Sequence, residues 1–113
     1  MIDFSQTLVS DEDIPWQQVE EKIKRKIMAY NKDLMLVKVA FEKGGIGTMH
    51  QHPHLQISYI AEGKFEVTIA GISKILQKGD VYFVPSNALH GAICLESGIL
   101  IDVFNPLRED FLA

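Results

Sequence analysis

Between Gly44 and Pro106 no stretch longer than nine residues lacks a glycine or a proline. Helices average about eleven residues and are weakened by either residue in their interior. This part of the chain is therefore divided into pieces that suit short strands. Their texture agrees: Phe65, Val67 and Ile69 alternate with Lys64, Glu66 and Thr68, the period of a half-buried strand. Strands are expected at 55–61 and 64–70, with a turn at Glu62-Gly63, and then at 73–77, 81–84, 91–95 and 99–104. Upstream, Asn31-Lys32-Asp33 reads as a turn before the Val-, Leu- and Met-rich segment 34–41. Segment 16–30 fits two periods. Val19, Ile23 and Ile27 recur at helical spacing, whereas Ile23, Arg25 and Ile27 alternate against the lysines; the turn that follows makes a hairpin the simpler reading. The pattern predicts an all-β protein, an antiparallel β-barrel or jelly roll. Residues 1–15 are expected to form an irregular lead-in, 34–104 the barrel core, and 1–113 a single domain.

Composition narrows the partners. Hydrophobic residues are 47% and charged residues 23%, as in ordinary globular proteins. A core of that size needs no disulfide framework, and the lone Cys94 has no internal partner. The start Met1-Ile2-Asp3-Phe4 lacks the basic and apolar runs of a signal peptide, and no apolar run approaches the roughly 20 residues of a membrane helix. A cytoplasmic location without a membrane partner is expected. The net charge is −4, and Lys22, Lys24, Arg25 and Lys26 sit beside Glu20 and Glu21. That cluster reads as a solvated strand face, and nucleic acid is not an expected partner. Segment 16–41 supplies strands beyond those the histidine motifs require, so pairing of edge strands into a homodimer is expected.

All four histidines fall in two places, His50, His52 and His54 together and His90 alone. On a strand, residues two apart share a face, so His50 and His52 can converge. Gln56 has the same parity and offers a carbonyl oxygen, and a folded sheet can bring His90 opposite. Three imidazoles and one oxygen suit one divalent transition ion per chain, whether zinc, nickel, manganese, iron or cobalt. His54 has the right parity either to touch a substrate or to sit at the rim. Cys94 reads as a small buried side chain.

Two blocks carry a resemblance. The first runs Gly44, five residues, His50-Gln51-His52, three residues, Gln56, six residues, Gly63; the second runs Gly79, five residues, Pro85-Ser86-Asn87, two residues, His90. This spacing resembles the two motifs of the cupin superfamily, which implies a jelly-roll barrel with its metal held by His50, His52, Gln56 and His90. The sequence departs from that pattern at three positions: Gln56 replaces a glutamate, Asn87 a glycine and Cys94 an asparagine. A neutral amide among three neutral imidazoles leaves the ion its full charge, which favours Lewis-acid work over redox cycling.

Near the C-terminus, Asp102 and Phe104 share a strand face, Pro106 ends the strand, and Arg108 can fold back over the barrel mouth. A guanidinium there suits a carboxylate, while an Asp102–Arg108 ion pair is the plain structural alternative. The run His50-Gln-His-Pro-His-Leu-Gln56, followed by Asp102-Val-Phe104-Asn-Pro-Leu-Arg108-Glu-Asp-Phe111, resembles the small cupins of pectin and alginate breakdown. Those cupins linearise 4,5-unsaturated monouronates. The resemblance implies a carboxylated sugar substrate and a metal-dependent, isomerase-type ring opening. It also implies Asp102 as base, Arg108 as carboxylate clamp and Phe104 as the surface beneath the sugar ring. Other cupin chemistries stay open, a metal-dependent dioxygenase or a non-catalytic sugar sensor.

Overall fold

The alternating segments are strands in the computed structural model, which describes residues 7–112. The first six residues of the lead-in, Met1-Ile2-Asp3-Phe4 among them, lie outside that range. Eight strands follow one another: β1 (Gln17–Glu20), β2 (Ile23–Tyr30), β3 (Met35–Phe41), β4 (Ile46–His50), β5 (Leu55–Ile69), β6 (Ile72–Gln77), β7 (Val81–Val84) and β8 (His90–Asn105). All pairings are antiparallel, in the order β1-β2-β3-β8-β5-β6, with β4 on β8 and β7 on β5. The fold is the expected all-β jelly roll. Segment 16–30 forms β1 and β2, joined by a turn at Glu21-Lys22. Its β2 pairs with β3 across a turn in which Asn31 Oδ1 accepts hydrogen bonds from the backbone N–H groups of Asp33 (2.9 Å) and Leu34 (3.0 Å).

One expectation needs correcting. The strands foreseen at 55–61 and 64–70 are a single strand, β5, and those at 91–95 and 99–104 are a single strand, β8. The two pair along their whole length, from Leu55 opposite Asn105 to Ile69 opposite His90. Midway the register slips between Ile60 and Phe65, and the backbones nearly touch. A Cβ on Gly63 would lie 2.6 Å from the Gly98 Cα, and one on Gly98 would overlap the Glu62 carbonyl. These glycines therefore mark a close crossing of two strands, where Gly63 also takes a positive φ of 86°. The bent ribbon lends its halves to both walls of the barrel. One half pairs with β3 and β7, the other with β4 and β6.

The barrel is filled from alternate positions. Ile60, Phe65 and Val67 of β5 pack with Cys94 and Leu100 of β8 and with Phe41, whose ring meets Phe65 edge-on at 5.2 Å. Each such buried aromatic or aliphatic side chain contributes about 1.5–3 kcal/mol. A second cluster, Met35, Val37 and Phe104, closes the end nearer the C-terminus. The lead-in is pinned to the outside of the barrel. Asp11 accepts from Lys26 Nζ at 3.1 Å and from Lys38 Nζ at 2.9 Å, and the Trp16 ring lies under both ammonium groups. Lys26 is consequently buried, contrary to the solvated face expected for its cluster. No helix among the described residues is long and apolar enough to cross a membrane.

Candidate metal centre

His50 ends β4, His90 begins β8, and the two are register partners. His52 lies in the loop after β4, so its convergence with His50 comes from a turn and not from a shared strand face. That loop is tied to the one preceding His90: the Asn87 N–H donates to the His52 carbonyl at 2.7 Å, and Ser86 Oγ donates to the Pro53 carbonyl at 2.6 Å. Asn87 takes a φ of 64°, a conformation asparagine tolerates better than most residues. It can thus stand where the cupin pattern has glycine.

The three rings are oriented alike. Nδ1 of His50, His52 and His90 faces the carbonyls of Thr48 (2.8 Å), His54 (3.0 Å) and Ala88 (2.9 Å). A carbonyl only accepts, so each Nδ1 carries the hydrogen and each Nε2 is left with a lone pair. Ligand atoms from the three histidines lie within 4.8 Å of one another, so they could hold a metal ion. The fit can be tested at two atoms. His90 Nε2 is buried without a hydrogen-bond partner, a condition that costs about 1–3 kcal/mol unless something else satisfies it. Gln56 Nε2 donates to Ser58 at 2.9 Å, which turns Oε1 toward His52 Nε2 at 3.0 Å. Two lone pairs then face each other, an arrangement that a shared cation relieves. Burial also pushes the His90 pKa down to about 4 and lowers that of His52, with the Arg108 charge adding to the latter. Both rings are held in the neutral form that ligates metals.

A cavity of about 210 Å³ opens beside these rings, bordered by His50, Gln56, His90, Asp102, Phe104 and Arg108. That is about seven waters at their liquid volume of about 30 Å³ each, room for one small molecule. Ser58 stands beside Asp102 across β5 and β8 and donates to its Oδ1 at 2.6 Å. With its one proton committed there, Ser58 accepts from Gln56 and pairs with the hydroxyl of Tyr82. Burial raises the Asp102 pKa to about 6, against the opposing pulls of Ser58 and Arg108. Burial and the Asp102 charge also push the Tyr82 phenol upward, so it stays protonated.

Arg108 follows Pro106 and folds back as expected, stacking 5.2 Å from the Phe104 centroid and 4.3 Å from that of Phe111. The ion pair it makes is with Asp110 and not Asp102: Nε reaches Oδ1 at 3.1 Å and Nη2 reaches Oδ2 at 2.9 Å. The structure brings His50, His52, Gln56, His90, Asp102, Phe104 and Arg108 together. His54 sits beside His52 and supports it through its carbonyl, while its ring does not line the cavity. Cys94 is buried in the core, its thiol pKa raised by that burial. Two cavity residues escaped the sequence reading, Tyr82 and Arg25, and so did Ser58, which bonds Asp102 behind the cavity wall. The parity that placed Gln56 also places Ser58 two residues on, and Arg25 occupies an inward position between Ile23 and Ile27. Tyr82 carried no signal.

Known proteins share this fold. A family model described as the cupin domain matches residues 37–104. The pectin degradation protein KdgF of Dickeya dadantii (strain 3937) is 50% identical over 104 residues, covering 90% of this chain and 94% of that protein. Among solved structures, KdgF from Halomonas sp. superposes with a TM-score of 0.89 at 42% identity, over 92% of this chain and 96% of that one. An RmlC-like cupin from Shewanella frigidimarina NCIMB 400 does so with a TM-score of 0.88 at 44% identity, over 90% and 92%. The chain belongs to the cupin family, and within it stands with the KdgF proteins.

Proposed function

We propose that this protein acts in the breakdown of uronate polysaccharides such as pectin, converting 4,5-unsaturated monouronates into the linear 5-keto-4-deoxyuronate. One observation carries the reading: two of the three clustered histidines, His50 and His90, line the same cavity as Asp102, a carboxylate whose pKa is raised to about 6. The 50% identity to a protein named for pectin degradation supports it.

His50, His52, Gln56 and His90 would hold one divalent ion, which supplies Lewis-acid stabilisation of negative charge developing on a substrate oxygen. The substrate is a cyclic hemiacetal whose ring oxygen belongs to an enol ether. Asp102 takes the proton from the anomeric hydroxyl. The bond between C1 and the ring oxygen breaks, C1 becomes an aldehyde, and the ring-oxygen electrons form an enolate at C5. A proton delivered to C4 completes the keto acid, and the protonated Asp102 is a suitable source because its pKa lies close to neutrality. Ser58 holds the Asp102 carboxylate in place, Phe104 packs against the sugar ring, and the Arg108 charge faces the substrate carboxylate.

The test joins metal analysis to turnover. Purified protein should carry one divalent ion per chain, and should consume an unsaturated monouronate faster than its spontaneous loss, followed by the disappearance of conjugated ultraviolet absorbance. His52→Ala combined with His90→Ala should remove both the ion and the activity. Undiminished metal in that double variant would overturn the ligand set. A wild-type rate equal to the blank would overturn the enzyme reading, and turnover that requires oxygen would favour a dioxygenase.

A further inference from the structure

Charged side chains seldom occupy inward positions of a barrel strand without a partner or a task, because leaving water is costly. Arg25 occupies such a position on β2, between the buried Ile23 and the half-buried Ile27. It lines the same cavity as His50, Asp102 and Phe104. Its guanidinium carbon stacks 3.9 Å from the centroid of Phe111, the ring that also carries Arg108. Among the described residues no carboxylate comes within ion-pairing distance of Arg25, and the one hydrogen bond of its side chain is a long one, 3.4 Å from Nε to Gln17 Oε1. The acid whose charge acts on it, Asp110, already has both oxygens engaged by Arg108. The cavity is thus bordered by two guanidinium groups in different states. The Arg108 fork is occupied, whereas the Nη1 and Nη2 atoms of Arg25 bond to nothing among the described residues.

We propose that Arg25 is the residue that grips the substrate carboxylate and so selects a uronate over a neutral sugar. This assignment rests on the uronate reading above. It divides the work between the two cations. Arg25 offers its fork to the ligand in the paired geometry that guanidinium and carboxylate share, and Arg108, held by Asp110, adds charge and covers Phe104. Phe111 aligns both groups through its ring face.

The experiment compares an unsaturated monouronate with its methyl ester, which keeps the ring and the enol ether but lacks the anion. Arg25→Met retains the length and apolar contact of the stem, and Arg25→Lys retains the charge without the fork. Arg25→Met should raise KM for the acid by about ten- to a hundredfold while changing KM for the ester less than about twofold. Arg25→Lys should fall between wild type and Arg25→Met for the acid. An unchanged KM for the acid would overturn the assignment. So would an equal rise for acid and ester, the mark of a purely structural role. If wild type turns over neither compound, the uronate enzyme reading has failed on its own account, and thermal melts with D-galacturonate and D-galactose then decide the role of Arg25. Stabilisation of wild type by the acid alone, lost in Arg25→Met and partly kept in Arg25→Lys, supports the grip; identical shifts in wild type and both variants overturn it.

Discussion

Asp102 pulls stability and activity in opposite directions. Burial makes its charged form unfavourable and raises the pKa to about 6 from an ordinary 3.8, with only the Ser58 hydroxyl bonded to it among the described residues. A carboxyl whose folded pKa is raised favours folding below its unfolded pKa and loses that contribution as pH climbs through 6. Asp102→Asn keeps the Ser58 bond without the charge. In chelator-treated protein it should therefore be more stable than wild type at pH 7–8, by about 1–3 kcal/mol, with the gap closing between pH 6 and pH 4. Thermal melts across that range check the sign. The same substitution removes the base, so kcat should fall by about 10²–10⁴-fold with little change in KM. The wild-type rate should itself decline as pH drops below about 6, where Asp102 becomes protonated. A variant that is less stable than wild type and retains its turnover would make Asp102 a structural residue.

The decisive elements are β5 and β8, and what distinguishes them is the crossing at Gly63 and Gly98. Without the bend there, the ribbon would hold Gln56 near one end and His90 near the other, far apart. With it, both ends turn into one cavity. Gly98→Ala would drive a methyl group into the Glu62 backbone, and should cost about 3 kcal/mol or more while lowering bound metal, because strand and site share the bend. Gly71 offers the comparison. It has a positive φ, 81°, which Gly98 does not, but a Cβ there meets nothing within 4 Å, so Gly71→Ala should cost only about 1 kcal/mol and leave metal content unchanged. Melting temperatures and elemental analysis of the two variants separate the effects. Equal, small losses would show that the crossing is looser than its backbone contacts imply.

The whole molecule presents an uncovered apolar face. Ile57 and Tyr59 of β5 lie opposite Phe83 and Val81 of β7, all about half exposed, and Val103 and Ile101 continue the stripe on β8. Contiguous apolar surface of this kind marks an association site more often than bare exposure. We propose that a second copy covers it in a homodimer, burying one sheet face against another rather than pairing the edges of 16–41 that the sequence first suggested. Light scattering at micromolar concentration should report a dimer. Phe83→Glu with Tyr59→Glu should shift it to monomer with the barrel intact by circular dichroism. A monomeric wild type would reject the assembly.

What the sequence by itself determined was local. Strand period, turn chemistry and the i, i+2 parity of side chains depend on near neighbours, so the all-β class, most strands and the inward set of Gln56, Asp102 and Phe104 were legible before any fold was known. The spacing of His50, His52 and His90 was legible too, through its likeness to the cupin motifs. Tertiary structure decided whatever depends on which distant segments meet. It joined two pairs of expected strands into β5 and β8, because a glycine that would end an isolated strand is also what lets two strands cross. It set His52 on a loop held by Asn87, buried Lys26 beneath Asp11 and Trp16, and gave the Arg108 fork to Asp110. It also brought Arg25 of β2 to the cavity that Asp102 and His90 of β8 line. Contacts between residues scores of positions apart leave no periodic trace, and only the closed sheet assigns them.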